Sequence, residues 1–333
     1  MDPLTQGAAG VVAAQSASGH GNIRAASLAG LTGGMLPDAD IFLHIPDAPL
    51  TNLLIHRHFT HSLIFIPLGG LIAAVLAWFL LRRKQAFSGI YLFATLGYAT
   101  GGLLDACTTY GTHLYWPFSS HRAAWDVIAI IDPAFTLTLA AALACSLWRR
   151  TRLYALIGLV AALSYLAAGA AARHTAAGIL AEEARHRGHT VLRLRVMPTI
   201  GNLVLWRGIY EAGDKYHVAA VRLGLLGPHR VYSGTAVERF RLEEQNAERL
   251  SPNVLADIRR FSHFADGYLF AHQRKPLVLG DLRYSLLPNR AEPLWALVID
   301  REGKGARTDL VYYSRISGER IDEFWRMLAG TYP

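Results

Sequence analysis

Four apolar segments of near-bilayer length, residues 63–81, 88–106, 127–148 and 153–172, limit what this chain can fold into. Each approaches the ~20 residues a helix needs to cross a hydrocarbon core, where every backbone N–H and C=O must be satisfied within the segment. They predict transmembrane helices. Composition agrees: 52% of the 333 residues are hydrophobic and only 17% are charged, too few charges for an ordinary soluble chain. Arg82-Arg83-Lys84 follows the first span and Arg149-Arg150-Thr151-Arg152 follows the third. Short basic loops belong on the cytoplasmic side, so the opposite ends, and everything after about Ala172, fall on the periplasmic side of a bacterial inner membrane.

The net charge of +8 raises nucleic acid as a partner, but no glycine-rich phosphate loop, zinc finger or interleaved basic and aromatic ribbon accompanies it. No nucleic-acid partner is expected. Residues 1–18 lack the basic start and cleavage site of a signal peptide, and their apolar part, residues 7–17, is too short and glycine-rich to span alone. With residues 25–36 it predicts a hairpin of embedded or interfacial helices packed through Gly and Ala. Pro37 then breaks the helical pattern and presents Asp38 and Asp40 on an irregular turn. The two cysteines, Cys107 and Cys145, fall at opposite ends of their helices, too far apart for a disulfide.

Past Arg173 the pattern changes. Residues 176–187 predict a helix leaving the membrane, and Leu192, Leu194 and Val196 alternate with Arg193 and Arg195 as in a strand with one buried face. Tyr210 and Tyr216 flank a hairpin turn at Glu211-Ala212-Gly213-Asp214, and residues 296–299 pair with 310–313 around Arg301-Glu302-Gly303. Ser251 and Pro252 start one helix, and Ile321, Phe324, Trp325 and Leu328 form the apolar stripe of a closing one. The expected fold is an α-helical membrane domain, residues 1–175, with about four transmembrane helices plus the N-terminal embedded helices, followed by a periplasmic α+β extramembrane domain, residues 176–333.

Asp38, Asp40, His56, His58 and His61 crowd the approach to the first span, and ionisable groups beside a membrane are costly without a partner. Imidazole and carboxylate donors together suit zinc, manganese or iron(II) more than calcium. His56 and His61 stand about 140° apart on a helical wheel, so His56 belongs to the entering loop, with Thr60 as N-cap and His61 in the first turn of the span. Asp105 ends the second span as a further ligand or base. His113 and His121 read as loop residues, Trp116 and Phe118 as part of an interfacial aromatic belt, and Asp132-Pro133 as a helix start. Arg239, Arg241, Arg259 and Arg260 read as a solvated basic face.

Asp38 and Asp40 in a Leu-Pro-Asp-x-Asp turn, His56-Arg57-x-x-Thr60-His61-Ser62 opening a span, and Leu104-Asp105-x-x-Thr108-x-x-Gly111 before Trp116-Pro117-Phe118 resemble the YdjM-like (DUF457) family of membrane-bound, metal-dependent hydrolases. The likeness covers about residues 1–148. Pro198, Gly201-Asn202 and Leu205-Trp206-Arg207 look like the extension carried by a proteobacterial branch of that family. The resemblance implies an inner-membrane protein described as a hydrolase by motif, with no assigned substrate. Two positions depart from it: the family's His four residues before the acid is Gly101 here, and its early Thr-His is Thr5-Gln6.

The leading expectation is an enzyme. Asp38, Asp40, His56, His61 and Asp105 hold one or two divalent ions, zinc or manganese, and lower the pKa of bound water for attack on an ester or phosphoester. Asp40 or Asp105 acts as base, and Arg57, with Arg122, holds an anionic group of the substrate. The location points to a membrane lipid or lipid-linked substrate, while no motif names a partner for the C-terminal domain. The alternative is a non-catalytic scaffold or lipid-binding protein whose metal site has degraded, as Gly101 signals. A transporter is disfavoured because few polar residues lie midway along the spans. A reporter fused after Lys84 is expected to behave as cytoplasmic and one fused after Pro333 as periplasmic; the reverse pattern contradicts this orientation.

Overall fold

The Asp2 carboxylate accepts the Thr5 N–H at 3.0 Å, and Pro3 takes a first-turn position where no N–H is needed, opening α1 (Pro3–Ser16). The computed structural model describes residues 1–333 except 20, 44, 46–48, 82–84, 225–226, 243–250, 275–276, 301–306 and 314–316. After α1 come α2 (Ile23–Met35), a 3-10 turn over Leu36–Phe42, α3 (Pro49–Ile55), α4 (Ile66–Leu80), α5 (Phe87–Ala106), α6 (Pro133–Arg149) and α7 (Leu153–His186). The chain divides into two units, Met1–His44 with Leu54–Ala171 and Ile200–Leu203, and Ile45–Leu53 with Ala172–Thr199 and Val204–Pro333. The Arg82-Arg83-Lys84 loop and the Arg301-Glu302-Gly303 turn lie outside the described residues.

Three stretches among the described residues, Leu63–Leu80, Phe87–Ala106 and Leu153–His186, are long and apolar enough to cross a membrane. About four were expected; the segment at residues 127–148 is helical over only 17 residues, the lower limit for a span. Asp132 accepts the Phe135 N–H at 3.1 Å and Pro133 follows it, so α6 begins only there and has 17 residues. Residues 127–132 are non-helical. By contrast α7 runs through residue 172 without a break, and its 34 residues extend about 50 Å. Cys107 and Cys145 are both free thiols.

Small residues bring α1, α2 and α5 together. A Cβ on Gly30 of α2 would stand 2.4 Å from the Gly10 carbonyl oxygen of α1, and one on Gly97 of α5 would stand 2.4 Å from the Gly30 oxygen. Gly30 thus sits where three helix backbones meet, an approach only hydrogen allows. Around them Val12, Leu104, Ile128, Phe135 and Leu139 form one core cluster, and Ala26, Ala29, Ala73, Ala77 and Ala94 belong to another. The α1–α2 hairpin expected from its Gly and Ala content is this packing. On α4, Gly69 lies against the Tyr98 ring of α5.

The second unit holds two four-stranded antiparallel sheets. One is β1 (Arg193–Pro198), β2 (Leu205–Ala212), β3 (Lys215–Arg222) and β4 (Arg230–Glu238), paired in chain order. After α8 (Pro252–Phe264) the other follows, β5 (Leu269–Arg274), β6 (Leu277–Asp281), β7 (Trp295–Asp300) and β8 (Arg307–Tyr312), also in chain order. The hairpin between Tyr210 and Tyr216 turns on Gly213, whose φ of +59° suits the first position of a two-residue hairpin loop. Ser251 caps α8. Two expectations fail in detail. Arg195 is buried on β1, paired with Asp266 at 3.1 Å, whereas Leu192 is exposed. On α9 (Gly318–Ala329), Met327 is the fully buried residue, and Ile321 and Trp325 are exposed.

The Leu205-Trp206-Arg207 motif is structural. Trp206 is fully buried, and the Arg207 guanidinium donates to the carbonyls of Leu282, Leu287, Pro288 and Arg290, tying β2 to the segment after β6. Replacing Gly30 by Val overpacks the three-helix crossing and is expected to destabilise the membrane unit by about 1–3 kcal/mol, read as a lowered thermal midpoint of the purified chain in detergent. An unchanged midpoint contradicts the close packing.

Candidate metal centre

The last turn of α5 carries Asp105, fully buried at the end of an apolar helix. Two consecutive glycines one turn earlier seat the other site segments on that helix. A Cβ at Gly101 would lie 3.0 Å from Pro37 Cγ, and one at Gly102 would lie 2.4 Å from the His61 carbonyl oxygen. Tyr98 completes the clamp by donating its hydroxyl to the Thr60 carbonyl at 2.7 Å. The turn bearing Asp38 and Asp40 and the segment bearing His56 to His61 therefore converge on α5.

His61 Nε2 stands 3.1 Å from Asp38 Oδ1 and 3.0 Å from Asp105 Oδ2. Two carboxylate oxygens facing one ring nitrogen repel its lone pair unless a proton or a metal ion lies among them. Asp105 Oδ2 is buried between His61 Nε2 at 3.0 Å and Arg57 Nε at 3.2 Å, so it too faces the place such a cation would take. Burial alone would lower the His61 pKa, but hydrogen bonds to Asp105 and Asp38 and their charges outweigh it and raise the pKa above the ordinary imidazole value. The ring's other nitrogen lies 3.0 Å from the Thr60 hydroxyl and 3.5 Å from Asp40 Oδ2.

Asp40 is the organiser of the loop. Its Oδ1 meets His56 Nδ1 at 2.8 Å, and its Oδ2 accepts the Arg57 N–H at 2.8 Å and the Thr60 hydroxyl at 2.9 Å. The Arg57 bond holds that residue at φ +62°, a left-handed conformation rare for a long side chain. Burial would raise the Asp40 pKa, yet the His56 hydrogen bond and the His61 and His56 charges leave it below the usual carboxylate range. Thr60, expected to cap the span, serves Asp40 instead, and residues 59–61 form a 3-10 turn. This commits Asp40 to its neighbours, unlike a carboxylate free to take protons.

Asp105 also balances protein cations. Its Oδ1 pairs with the Met1 amino group, and its Oδ2 lies 3.2 Å from Arg57 Nε. Arg57 itself is buried, its side chain only 6% exposed.

Among the described residues, two groups offer ligand atoms within 4.8 Å of one another: Asp38, His61 and Asp105, and Asp38, Asp40 and His56. All five residues expected as ligands fall in one group or the other, sharing Asp38. The His and Asp donor set fits a borderline or hard divalent ion. The remaining histidines and acids lie elsewhere. The His58 and His113 rings meet at a tilt with centroids 4.7 Å apart, and His58 also meets Trp116. Asp132 caps α6 and accepts the Tyr165 hydroxyl at 2.8 Å. Asp105→Leu leaves Arg57 buried without its counter-charge and is expected to cost about 3–5 kcal/mol, with partial recovery in the Arg57→Met double variant. Thermal midpoints of both in detergent check this; equal loss in the two contradicts it.

A 108-residue stretch is 35% identical to the inner membrane protein YbcI of Escherichia coli (strain K12), covering 31% of this chain and 60% of that protein. No solved structure matches the chain. The family model described as YdjM inner membrane protein matches residues 1–176, which takes in every residue of the centre. The chain, a membrane protein by its apolar helices, belongs to the YdjM inner membrane protein family.

Proposed function

We propose that this protein is a membrane-bound, metal-dependent hydrolase acting on an ester or phosphoester at the outer face of the inner membrane. The observation that carries this reading is the convergence of His61 Nε2, Asp38 Oδ1 and the buried Asp105 Oδ2 within about one ligand–ligand spacing, 3.0 and 3.1 Å. His61, Asp38 and Asp105 would hold one ion, zinc or manganese. Asp40 and His56 with Asp38 make up a second donor set, and Asp40 also orients His61 from its far side.

A bound divalent ion would supply a water of lowered pKa and polarise the oxygen of the scissile group. Asp38 would accept a proton from the attacking water, because its side chain is 16% exposed while those of Asp40 and Asp105 are fully buried and already engaged. That role replaces the one expected for Asp40 or Asp105. As the water oxygen bonds to the acyl carbon or phosphorus and the C–O or P–O bond to the alcohol breaks, the leaving alkoxide would take up the proton held by Asp38. Arg57 neutralises negative charge beside Asp105.

Phe42 and Phe118 are 86% and 84% exposed on the two loops that carry site residues, which supports a site opening at the lipid surface and hence a lipid or lipid-linked substrate. If the 17-residue α6 crosses as a short span, the basic loop between α6 and α7 supports placing the C-terminal unit in the periplasm.

Detergent-purified protein is expected to carry stoichiometric zinc or manganese by elemental analysis. His61→Ala should abolish it, and Asp40→Asn should weaken metal affinity about 10- to 100-fold. Absence of stoichiometric transition metal in the wild type contradicts the hydrolase reading and favours a scaffold or lipid-binding protein.

A further inference from the structure

One wall of the centre is cationic in a way that ion binding does not use. The Arg57 guanidinium carbon lies 4.8 Å from the Tyr110 ring centroid, and the Arg122 guanidinium carbon lies 4.4 Å from the same centroid. The His56 ring centroid is 5.9 Å from that ring as well, which joins this wall to the second donor set. Arg122 is anchored through Nε, which donates to the Tyr110 carbonyl at 2.7 Å, and through Nη2, which reaches the Gly111 carbonyl at 3.4 Å.

Arg57 is held without using all its donors. Its Nε faces Asp105 Oδ2 at 3.2 Å and its Nη2 reaches the Met1 carbonyl at 3.4 Å, but Nη1 is buried and makes no hydrogen bond. A buried guanidinium N–H with no acceptor is costly. The Tyr110 ring face attracts both guanidinium groups through its π electrons, an interaction that fixes Arg57 without using its Nη1 N–H. Two guanidinium groups on one aromatic ring, with Arg57 3.2 Å from a carboxylate that could share an ion, form a receptor for an anion. A neutral carboxylic ester offers Nη1 no charged acceptor. A phosphoryl group does, since its oxygens can meet a metal ion and a guanidinium together.

We propose that Arg57 and Arg122, positioned by Tyr110, form a phosphoryl-binding subsite, so that the substrates of this centre are phosphoesters. The inference rests on the metal reading above and narrows its substrate class. Arg57 and Arg122 contact the phosphoryl oxygens, and Tyr110 is a positioning residue that sets both guanidinium planes.

The test uses the full chain in detergent, loaded with Mn(II), with inorganic phosphate as probe and its 31P relaxation as readout. Phosphate should bind near the ion and acetate should fail to displace it at equal concentration. Arg122→Gln and Tyr110→Leu should each weaken phosphate at least about tenfold while Mn(II) stoichiometry stays at the wild-type level, and Tyr110→Phe, which keeps the ring, should restore affinity. Glycerol 3-phosphate and phosphatidic acid in nanodiscs then separate the two sources of the group: tighter binding of the lipid assigns a headgroup, and equal binding assigns a soluble phosphoester. Metal-loaded wild type that does not prefer phosphate to acetate, or Tyr110→Leu with unchanged phosphate affinity, overturns the subsite and leaves the metal centre standing. A wild type that takes up no Mn(II) overturns the metal reading and the subsite with it.

Discussion

Burial of the Asp105 carboxylate at the end of α5 is the constraint on which the membrane unit depends. A lone charge there would be prohibitively costly, and this one is compensated from three directions: the Met1 amino group, Arg57 and His61. Those partners come from two separate stretches of chain, the start of the sequence and the segment from Arg57 to His61. Gathering them requires that the loops bearing them approach a helix backbone closely, which Gly101 and Gly102 permit by lacking Cβ atoms. The electrostatic demand at Asp105 and the steric permission at the two glycines are therefore one device.

Asp40 performs a different task from the other acids. It accepts the Arg57 N–H and the Thr60 hydroxyl, meets the His56 ring, and lies behind His61, so it fixes the geometry of a whole segment with one side chain. Carboxylate, imidazole and ion in a row is an arrangement that sets a histidine's tautomer and raises its basicity. The protein thus separates a carboxylate that builds the site from two, Asp38 and Asp105, that face its centre.

Much of this was legible in the sequence because hydropathy and chemistry are local. The apolar runs at α4, α5 and α7, the turn at Pro37, and the Asp and His types of the site can be read without coordinates. Boundaries set by capping were less so: Asp132 and Pro133 announce a helix start, yet the apolar residues 127–131 before them look like more span. Gly101 read as a missing ligand, whereas in space it is the position that admits Pro37. The pairing of Arg57 and Arg122 on Tyr110 joins residues 53 and 12 positions from the ring, a relation that no periodicity encodes. In the second unit, the Arg207 cluster of carbonyl bonds reaches more than 70 residues along the chain, which explains why Leu205-Trp206-Arg207 read only as a motif.

X-ray absorption at the metal edge of the zinc-loaded protein tests the central claim most directly, since it reports which atoms surround the ion. An inner shell of mixed nitrogen and oxygen donors near about 2.0–2.2 Å with imidazole outer-shell scattering that disappears in His61→Ala is the predicted result. A shell of water oxygens alone, or sulfur scattering from Cys107 or Cys145, would contradict it.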